Sequence, residues 1–150
     1  MRAVIQRVEK ASVVILEKEI AKIEQGLLVL LGIEIEDTEE DTFWLAGKIA
    51  SLRIFSDEKG VMNKSITESG GEVIVVSQFT LHAKTKKGNR PSYIKAARPE
   101  QAIPIYQQFK EDLALSIGKE VQSGEFGAEM KVSLINDGPI TILIDTKNKE

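Results

Sequence analysis

Residues 132–144 are Val-Ser-Leu-Ile-Asn-Asp-Gly-Pro-Ile-Thr-Ile-Leu-Ile, two alternating apolar segments on either side of a short polar turn. Alternation of this kind is typical of half-buried strands. Asp-Gly is a common hairpin signal, so a plain β-hairpin is the simplest interpretation of residues 136–141. Proline after glycine allows a second interpretation, a rigid turn that presents backbone carbonyls. The proline ring fixes the φ of Pro139 and restricts the backbone conformation of Gly138. About 5–6% of such peptide bonds are cis, and a cis bond before Pro139 would let two neighbouring carbonyls face one cationic amine.

A second informative segment follows the apolar strand predicted at Glu72–Val76. It is Ser77-Gln78-Phe79-Thr80-Leu81, in which three polar side chains interrupt a hydrophobic run. Buried polar groups need partners, so these residues either fix a local turn or face a ligand. A turn here can also aim successive backbone N–H groups at one point, as in an oxyanion hole. Alternatively, Thr80 and His82 share one face of an extended strand, which suggests a threonine nucleophile with a histidine base and no third orienting residue.

The rest of the chain supplies the other elements of the predicted fold. Strands are predicted at 3–8, 12–16 (paired with 3–8 as a hairpin or meander), 27–33, 119–122, 129–136 and 140–145. One helix is predicted from the Asp37–Glu40 capping pattern to about Leu52, and another from Pro99 to Gly118. This order favours an α+β fold with a mostly antiparallel, barrel-like sheet and two main helices.

Composition limits the possible chemistry. The 150 residues are expected to form a single domain, 1–150, and they include no cysteine and one histidine. A disulfide, a thiolate metal site and a cysteine nucleophile are therefore excluded, a catalytic zinc site is disfavoured, and we predict neither a metal nor a cofactor. The longest apolar run has seven residues and no signal peptide is visible, so we expect a cytoplasmic protein that does not enter a membrane.

Positive charge is concentrated in one part of this acidic protein. The net charge is −3, yet no acidic residue lies between Glu72 and Glu100. That interval holds Lys84, Lys86, Lys87, Arg90, Lys95 and Arg98. A local basic loop suits a polyanion contacted at one end, whereas the alternative is a solvated loop that offsets acidic residues elsewhere.

Four motifs in order resemble the D-aminoacyl-tRNA deacylase family. They are Met1–Val8, Ser77–Leu81, Gly88–Ser92 and Asn136–Thr141, and the similarity runs from Met1 to about Asp145. Each motif is short, but four in register are specific. The resemblance implies a homodimer with a β-barrel-like core. It also implies hydrolysis of the ester that joins a D-amino acid to the terminal adenosine of tRNA.

The resemblance also assigns roles to residues. In the family the Gly-Pro bond is cis and enters the active site of the partner subunit, which maps onto Gly138 and Pro139. The family's N-terminal arginine maps onto Arg7, and Ile140 completes the predicted substrate-binding group. The predicted catalytic group is Ser77, Gln78, Phe79 and Thr80, whose backbone amides polarise the ester and position the adenosine. His82, Lys84, Tyr93 and Ile140 depart from the residues usual in the family, but no motif residue is lost.

The mechanism expected from these residues uses main chain more than side chains. The carbonyls of Gly138 and Pro139 are expected to bind the substrate amine. The side chain of an L-amino acid would then clash with this backbone, so L substrates are rejected. Glycine has no side chain to clash, so glycyl-tRNA is a second expected substrate. The resemblance adds the 2′-hydroxyl of tRNA as acid–base assistance. The predicted tRNA-binding residues are Lys84, Lys86, Lys87 and Arg90, with no DNA partner. The rival interpretations are a side-chain esterase using Thr80 and His82, and a non-catalytic RNA-binding module.

Overall fold

The computed structural model describes residues 1–150 and shows an α+β fold, as predicted. Its strands are β1 (Arg2–Ile15), β2 (Lys18–Ile23), β3 (Gly26–Gly32), β4 (Phe55–Ser56), β5 (Met62–Lys64), β6 (Glu72–Ser77), β7 (Gln122–Ser123) and β8 (Lys131–Asp145). Its helices are α1 (Glu39–Ser51), α2 (Ile66–Ser69) and α3 (Pro99–Ile117), with a 3-10 helix at Phe79–His82. None of the helices has the length and apolarity needed to cross a membrane.

The main sheet curls into a nearly closed barrel. Its path is β2-β1-β3-β6-β7, and β8 pairs with the other edge of β1. The gap between β7 and β2 is bridged by one side chain, because the amide of Gln122 accepts from the N–H of Lys22 at 2.8 Å and donates to its carbonyl at 2.7 Å. The barrel-like prediction is therefore confirmed.

The sheet is mixed, so the prediction of a mostly antiparallel sheet is wrong. β3 pairs with β6 in parallel, and β6 pairs with β7 in parallel. The physical reason is that α1 lies between β3 and β6 along the chain, and α3 lies between β6 and β7. A parallel pair needs a long crossover connection of this kind.

Strand β1 organises the barrel. Residues 3–8 and 12–16 were expected to form two strands of a hairpin or meander, but Arg2–Ile15 is one continuous strand. Its first half pairs with β3, its second half pairs with β2, and β8 runs antiparallel along its whole length. Register shifts near Arg7 let one long strand bend around the barrel.

The two faces of the sheet bury two apolar clusters. The cluster inside the barrel contains Val8, Ala11, Val13, Ala21, Ile23, Leu28, Ile74 and Val76. The larger cluster lies under α1 and α3 and includes Leu27, Val29, Leu31, Leu45, Ile49, Phe109 and Leu113. Because alternate residues of β3 enter different clusters, its continuous apolar run is buried on both faces, as predicted.

The N-terminal cap of α1 differs from the predicted one. Thr38 is the cap residue and forms a capping box with Asp41, whereas Asp37 was expected to cap the helix. The Asp37 side chain is buried instead and accepts from the N-terminal amine of Met1 at 2.5 Å. The start of α3 at Pro99 and its cap at Gly118 are as predicted.

Asp41 also anchors the C-terminal tail, and this contact predicts a pH effect. Burial alone would raise the pKa of Asp41, but Thr146, the ammonium of Lys147 at 2.9 Å and the N–H of Thr38 hold that pKa well below the usual aspartate range. A depressed carboxylate pKa stabilises the fold above the unfolded pKa and loses that effect as the pH falls.

We expect Asp41→Asn to lower the free energy of unfolding by about 1–2 kcal/mol at pH 7. The deficit should shrink as the pH falls below about 4, because the wild-type carboxylate then becomes protonated in the unfolded chain. Urea unfolding of the wild type and the variant at several pH values measures this difference in the free energy of unfolding. Glu40→Gln, an exposed neighbour on the same helix turn, is the control. A deficit that does not change with pH would contradict the assignment.

Candidate active site

The Ser77–Thr80 segment forms a sharp turn at the end of β6. The N–H of Gln78 still donates to the carbonyl of Leu31 in β3 at 2.7 Å, and a 3-10 helix then starts at Phe79. N–H groups in the first turn of a helix have no carbonyl acceptor within that helix. The N–H groups of Phe79 and Thr80 are therefore available to donate to an incoming oxygen atom.

The Thr80 hydroxyl already has a partner. The side-chain amide of Gln78 donates to Thr80 Oγ1, and this is the hydroxyl's hydrogen bond within the chain. Neither an imidazole nor a carboxylate bonds to it. Activation of a hydroxyl nucleophile requires an adjacent base, so the segment as arranged presents donors and no activated nucleophile.

His82 does not join Thr80 on a common face. The two residues were expected on one face of an extended strand, but the segment is a 3-10 helix, which turns the side chains apart. His82 is only 2% exposed and packs beside Gly32. Its Nδ1 lies 4.0 Å from a carboxylate oxygen of Glu34, and neither ring nitrogen has a hydrogen-bond partner. The geometric premise of a Thr80–His82 pair is therefore wrong.

A cavity of about 260 Å³ opens beside this segment. Its rim includes Ser77, Gln78 and Phe79, and its walls come from β3, α3 and the chain between β7 and β8. Ten of its thirteen lining residues are hydrophobic, among them Ala102, Phe126 and Met130. Such a space suits a largely apolar group rather than a charged one.

The 136–141 segment is not a hairpin. β8 stays beside β1 throughout, with Asn136 opposite Val8 and Thr141 opposite Gln6. Residues 137–140 therefore face the single residue Arg7 and form a bulge, here named the 137–140 bulge. The two apolar segments do not fold onto each other, because both pair with the same long strand.

The Gly138–Pro139 peptide bond at the centre of this bulge is cis. Gly138 has a φ of +139°, a backbone conformation that L-residues other than glycine rarely adopt. Both residues are exposed, whereas Ile140 is half-buried against the core under the helices. Gly138 and Pro139 therefore lie at the surface, next to a residue that is packed against the core.

Hydrogen bonds within and beneath the bulge fix its shape. The side chain of Asn136 accepts from the N–H of Ile140 at 3.0 Å and donates to the hydroxyl of Thr141 at 3.1 Å. The guanidinium of Arg7 donates to the carbonyl of Asp137 at 3.1 Å and lies 3.2 Å from its carboxylate. Arg7 also donates to the carbonyl of Ile54 at 2.6 Å, which ties the bulge to the body of the protein.

The turn and the bulge lie apart within one chain. Arg2 donates to the carbonyl of Leu81 at 3.0 Å, so the N-terminal end of β1 lies next to the turn. Arg7, five residues further along β1, contacts the bulge. Five residues of extended strand span about 17 Å. The two arginines that contact the turn and the bulge are therefore well separated along β1.

The basic loop is a hairpin that follows the turn directly. Lys84 and Ser92 exchange backbone hydrogen bonds of 2.8 and 3.0 Å and close a loop that carries Lys86, Lys87 and Arg90 at its tip. All four basic residues are exposed, and none forms an ion pair within the chain. We call residues 84–92 the basic hairpin.

Sequence inspection missed two parts of this site. Asn136 carried a local signal, because asparagine before a turn often bonds to backbone N–H groups ahead of it. The cavity walls at Ala102 and Phe126 had none, since the crossovers that bring them beside β6 are a property of the topology.

Comparisons with known proteins agree with the motifs. The model of the family described as D-Tyr-tRNA(Tyr) deacylase matches residues 4–145. Proteins named D-aminoacyl-tRNA deacylase from Parabacteroides distasonis and Flavobacterium psychrophilum are each 63% identical to this chain, over 100% of both sequences.

Two solved structures share the fold. One, named c-Myc DNA Unwinding Element Binding Protein, has a TM-score of 0.92 and 41% identity, covering 97% of this chain and 99% of the other. The second, described as a probable eukaryotic D-amino acid tRNA deacylase, has a TM-score of 0.82 and covers 95% of this chain and 97% of the other. At 16% identity, the second supports the fold alone. On the match to residues 4–145 and the identity of its relatives, this chain belongs to the D-Tyr-tRNA(Tyr) deacylase family.

Proposed function

We propose that this chain hydrolyses the ester between a D-amino acid and the 3′ end of tRNA, releasing free D-amino acid and tRNA. Full-length relatives carry the name of this activity. The observation that carries the proposal is that both candidate segments present main-chain groups, while the Thr80 hydroxyl has no base beside it. An aminoacyl ester is already activated, so its hydrolysis suits a site of this kind.

The turn supplies the electrostatic part of the reaction. The N–H groups of Phe79 and Thr80 donate to the ester carbonyl as water adds to its carbon. The bond to the ribose 3′-oxygen then breaks, and that oxygen takes up a proton. Donors of this type contribute roughly 10²–10³ in rate each. The neighbouring 2′-hydroxyl of the ribose provides the acid–base assistance that no side chain of the turn offers.

The cavity beside the turn is the proposed site of the terminal adenine. Its apolar walls and volume of about 260 Å³ suit the faces of a purine, and unstacked RNA bases commonly pack on such surfaces. Phe79 belongs to both the cavity and the turn. An adenine bound there would bring the attached ester next to the N–H donors.

We infer a homodimer in which the turn of one copy and the bulge of the other bind one ligand, because the two segments contact β1 at Arg2 and Arg7, about 17 Å apart along the strand. A groove of about 1150 Å³ adjoins Thr80 and Leu81 and is lined by Arg2, Val4 and Leu143. Leu143 is 67% exposed there. In a two-fold dimer, a contact between two different parts of the interface is made twice. The groove reaches Ile142, two residues after the bulge, so one surface patch can hold both features and each bulge can enter the groove of the partner. Each site is then completed in trans.

Chirality is sensed by the inserted main chain in this proposal. The carbonyls of Gly138 and Pro139 hold the substrate ammonium while the turn holds the ester. With two substituents of the α-carbon fixed, a D side chain points away and an L side chain strikes the bulge. Rejection by clash with rigid backbone needs no reactive group. Glycine has no side chain to strike, so glycyl-tRNA(Ala) is a further proposed substrate.

Parallel assays with D- and L-tyrosyl-tRNA test the function. Rapid release of D-tyrosine with negligible release of L-tyrosine supports it. Tight tRNA binding without turnover would favour the non-catalytic RNA-binding alternative.

The proposal also includes a single domain spanning residues 1–150 and a cytoplasmic location, where charged tRNA is used.

Substitution of Thr80 separates this mechanism from the side-chain esterase. We expect Thr80→Ala to retain activity on D-tyrosyl-tRNA within about tenfold, because the backbone N–H remains when the hydroxyl is lost. Loss of a true nucleophile costs about 10⁶-fold. Thr80→Ser, which keeps the hydroxyl, is the control in single-turnover assays. Near-complete loss in a folded Thr80→Ala variant, with retention in Thr80→Ser, would identify a nucleophile.

The basic hairpin is the proposed contact with acceptor-stem phosphates. We expect replacement of Lys86, Lys87 and Arg90 with alanine to reduce the slope of log K against log salt concentration by about 2–3, because each lost phosphate contact lowers it by nearly one. Titrations with uncharged tRNA measure the slope. A triple alanine variant of Lys18, Lys59 and Lys131 makes the same charge change elsewhere. Equal slopes for both variants would contradict the assignment.

A further inference from the structure

We propose that Tyr93 is a positioning residue that holds Phe79, and with it the N–H donors of the turn, in the reactive geometry. The inference rests on the proposed function. Its basis is one aromatic contact: the rings of Phe79 and Tyr93 lie 5.0 Å apart at an angle of 76°. This edge-to-face arrangement is a favourable geometry for aromatic pairs.

Phe79 needs such support because the turn is weakly held on its outer side. Phe79 is 54% exposed and begins a 3-10 helix of four residues. Helices of this kind have poor hydrogen-bond geometry and are stable only as short pieces. A small rotation at Phe79 would redirect its N–H group.

Tyr93 lies on a rigid base. Its carbonyl accepts from the N–H of Ala96 at 3.0 Å. The carbonyl of Lys95 accepts from Ile35 at 3.1 Å, and the N–H of Ala97 donates to Ile33 at 2.9 Å. The segment is therefore fixed to the chain that follows β3, and its aromatic ring gives the turn a stationary contact.

The position of Tyr93 also connects the turn to the basic hairpin. Tyr93 follows Ser92, whose backbone bonds with Lys84 close the hairpin, and the hairpin begins two residues after the 3-10 helix. The hairpin thus meets the turn at both ends, through the chain at one end and through the ring pair at the other. The hairpin tip, which is proposed to bind phosphate, and the turn, which is proposed to bind the ester, are therefore supported by the same segment around Tyr93.

Kinetics of three variants test the inference. Tyr93→Ala should lower the single-turnover rate on D-tyrosyl-tRNA about 2- to 10-fold while leaving affinity for uncharged tRNA unchanged. Tyr93→Phe keeps the ring and should retain the wild-type rate. Ile94→Ala, at the 72% exposed neighbour, controls for a general disturbance of the segment. In a Phe79→Ala background Tyr93→Ala should have no further effect, since the ring pair is already gone.

The outcomes are distinct. If the wild-type protein releases no D-tyrosine, the proposed function fails. If the wild type is active and Tyr93→Ala matches it, or if Ile94→Ala is equally slow, the positioning role is refuted. Failure of Tyr93→Phe to restore the rate, or a loss in affinity instead of rate, would also overturn it.

Discussion

Gly138→Ala is expected to lower kcat/KM for D-tyrosyl-tRNA by at least about 100-fold. An added Cβ would lie 2.7 Å from Cγ1 and 2.9 Å from the backbone N of Ile140, closer than atoms approach without a shift. The backbone φ of +139° also disfavours alanine. The bulge must therefore move, and a misplacement of about 1 Å near the reacting groups can cost 10²-fold in rate.

The matched control is Gly60→Ala. Gly60 also has a positive φ, +75°, but a Cβ there meets no atom within 4 Å, and the residue lies outside both candidate segments. It should lose some stability and no activity. Thermal unfolding of both variants separates lost structure from lost function. Wild-type kinetics in folded Gly138→Ala would show that the bulge does not contact the substrate.

Phe79→Pro is expected to lower the single-turnover rate by about 10²–10³, because proline removes one of the N–H groups proposed to stabilise the oxyanion. Proline is tolerated at the first position of a helix, which is where Phe79 lies, so the fold should survive. The side chain is more than half exposed, and its loss leaves the main cores intact.

Phe79→Ala provides the comparison that isolates the backbone. It removes the same ring, with its contact to Tyr93 and its part of the cavity wall, and keeps the N–H. Its single-turnover rate should therefore fall by only about tenfold, less than that of Phe79→Pro. Circular dichroism confirms folding for both variants. Equal rates for the proline and alanine variants would contradict a catalytic role for this N–H.

The sequence predicted both segments of the site and, through the family resemblance, the cis Gly138–Pro139 bond, but not how either segment is placed in the fold. The four motifs pointed to Ser77–Thr80 and to Gly138–Pro139 without a structure. Local rules then suggested a hairpin at 136–141, because Asp-Gly favours one. The actual arrangement depends on β1, whose length allows both halves of β8 to pair with it. A local sequence pattern cannot identify a pairing with a strand that lies more than 100 residues away along the chain.

The error at His82 has the same origin. The expectation that Thr80 and His82 lie on one face assumed that strand β6 continues through both residues. The strand ends at Ser77, and the 3-10 helix takes His82 into the interior beside Gly32. Likewise, the periodicity of the chain identified α1 and α3, but strand direction depended on how these helices cross the sheet. Parallel pairing of β3 with β6 followed from that crossover.

The central claim is that each active site combines the turn of one subunit with the bulge of the other, and a mixed dimer tests it most directly. Gly138→Ala and Phe79→Pro chains are co-expressed with different C-terminal tags, and the heterodimer is purified through both. Each homodimer should be nearly inactive. The heterodimer should recover about half the wild-type rate on D-tyrosyl-tRNA, since a two-fold dimer then holds one intact site and one doubly altered site. A purified heterodimer as inactive as its parents would contradict the account, because each site would then draw the turn and the bulge from one chain.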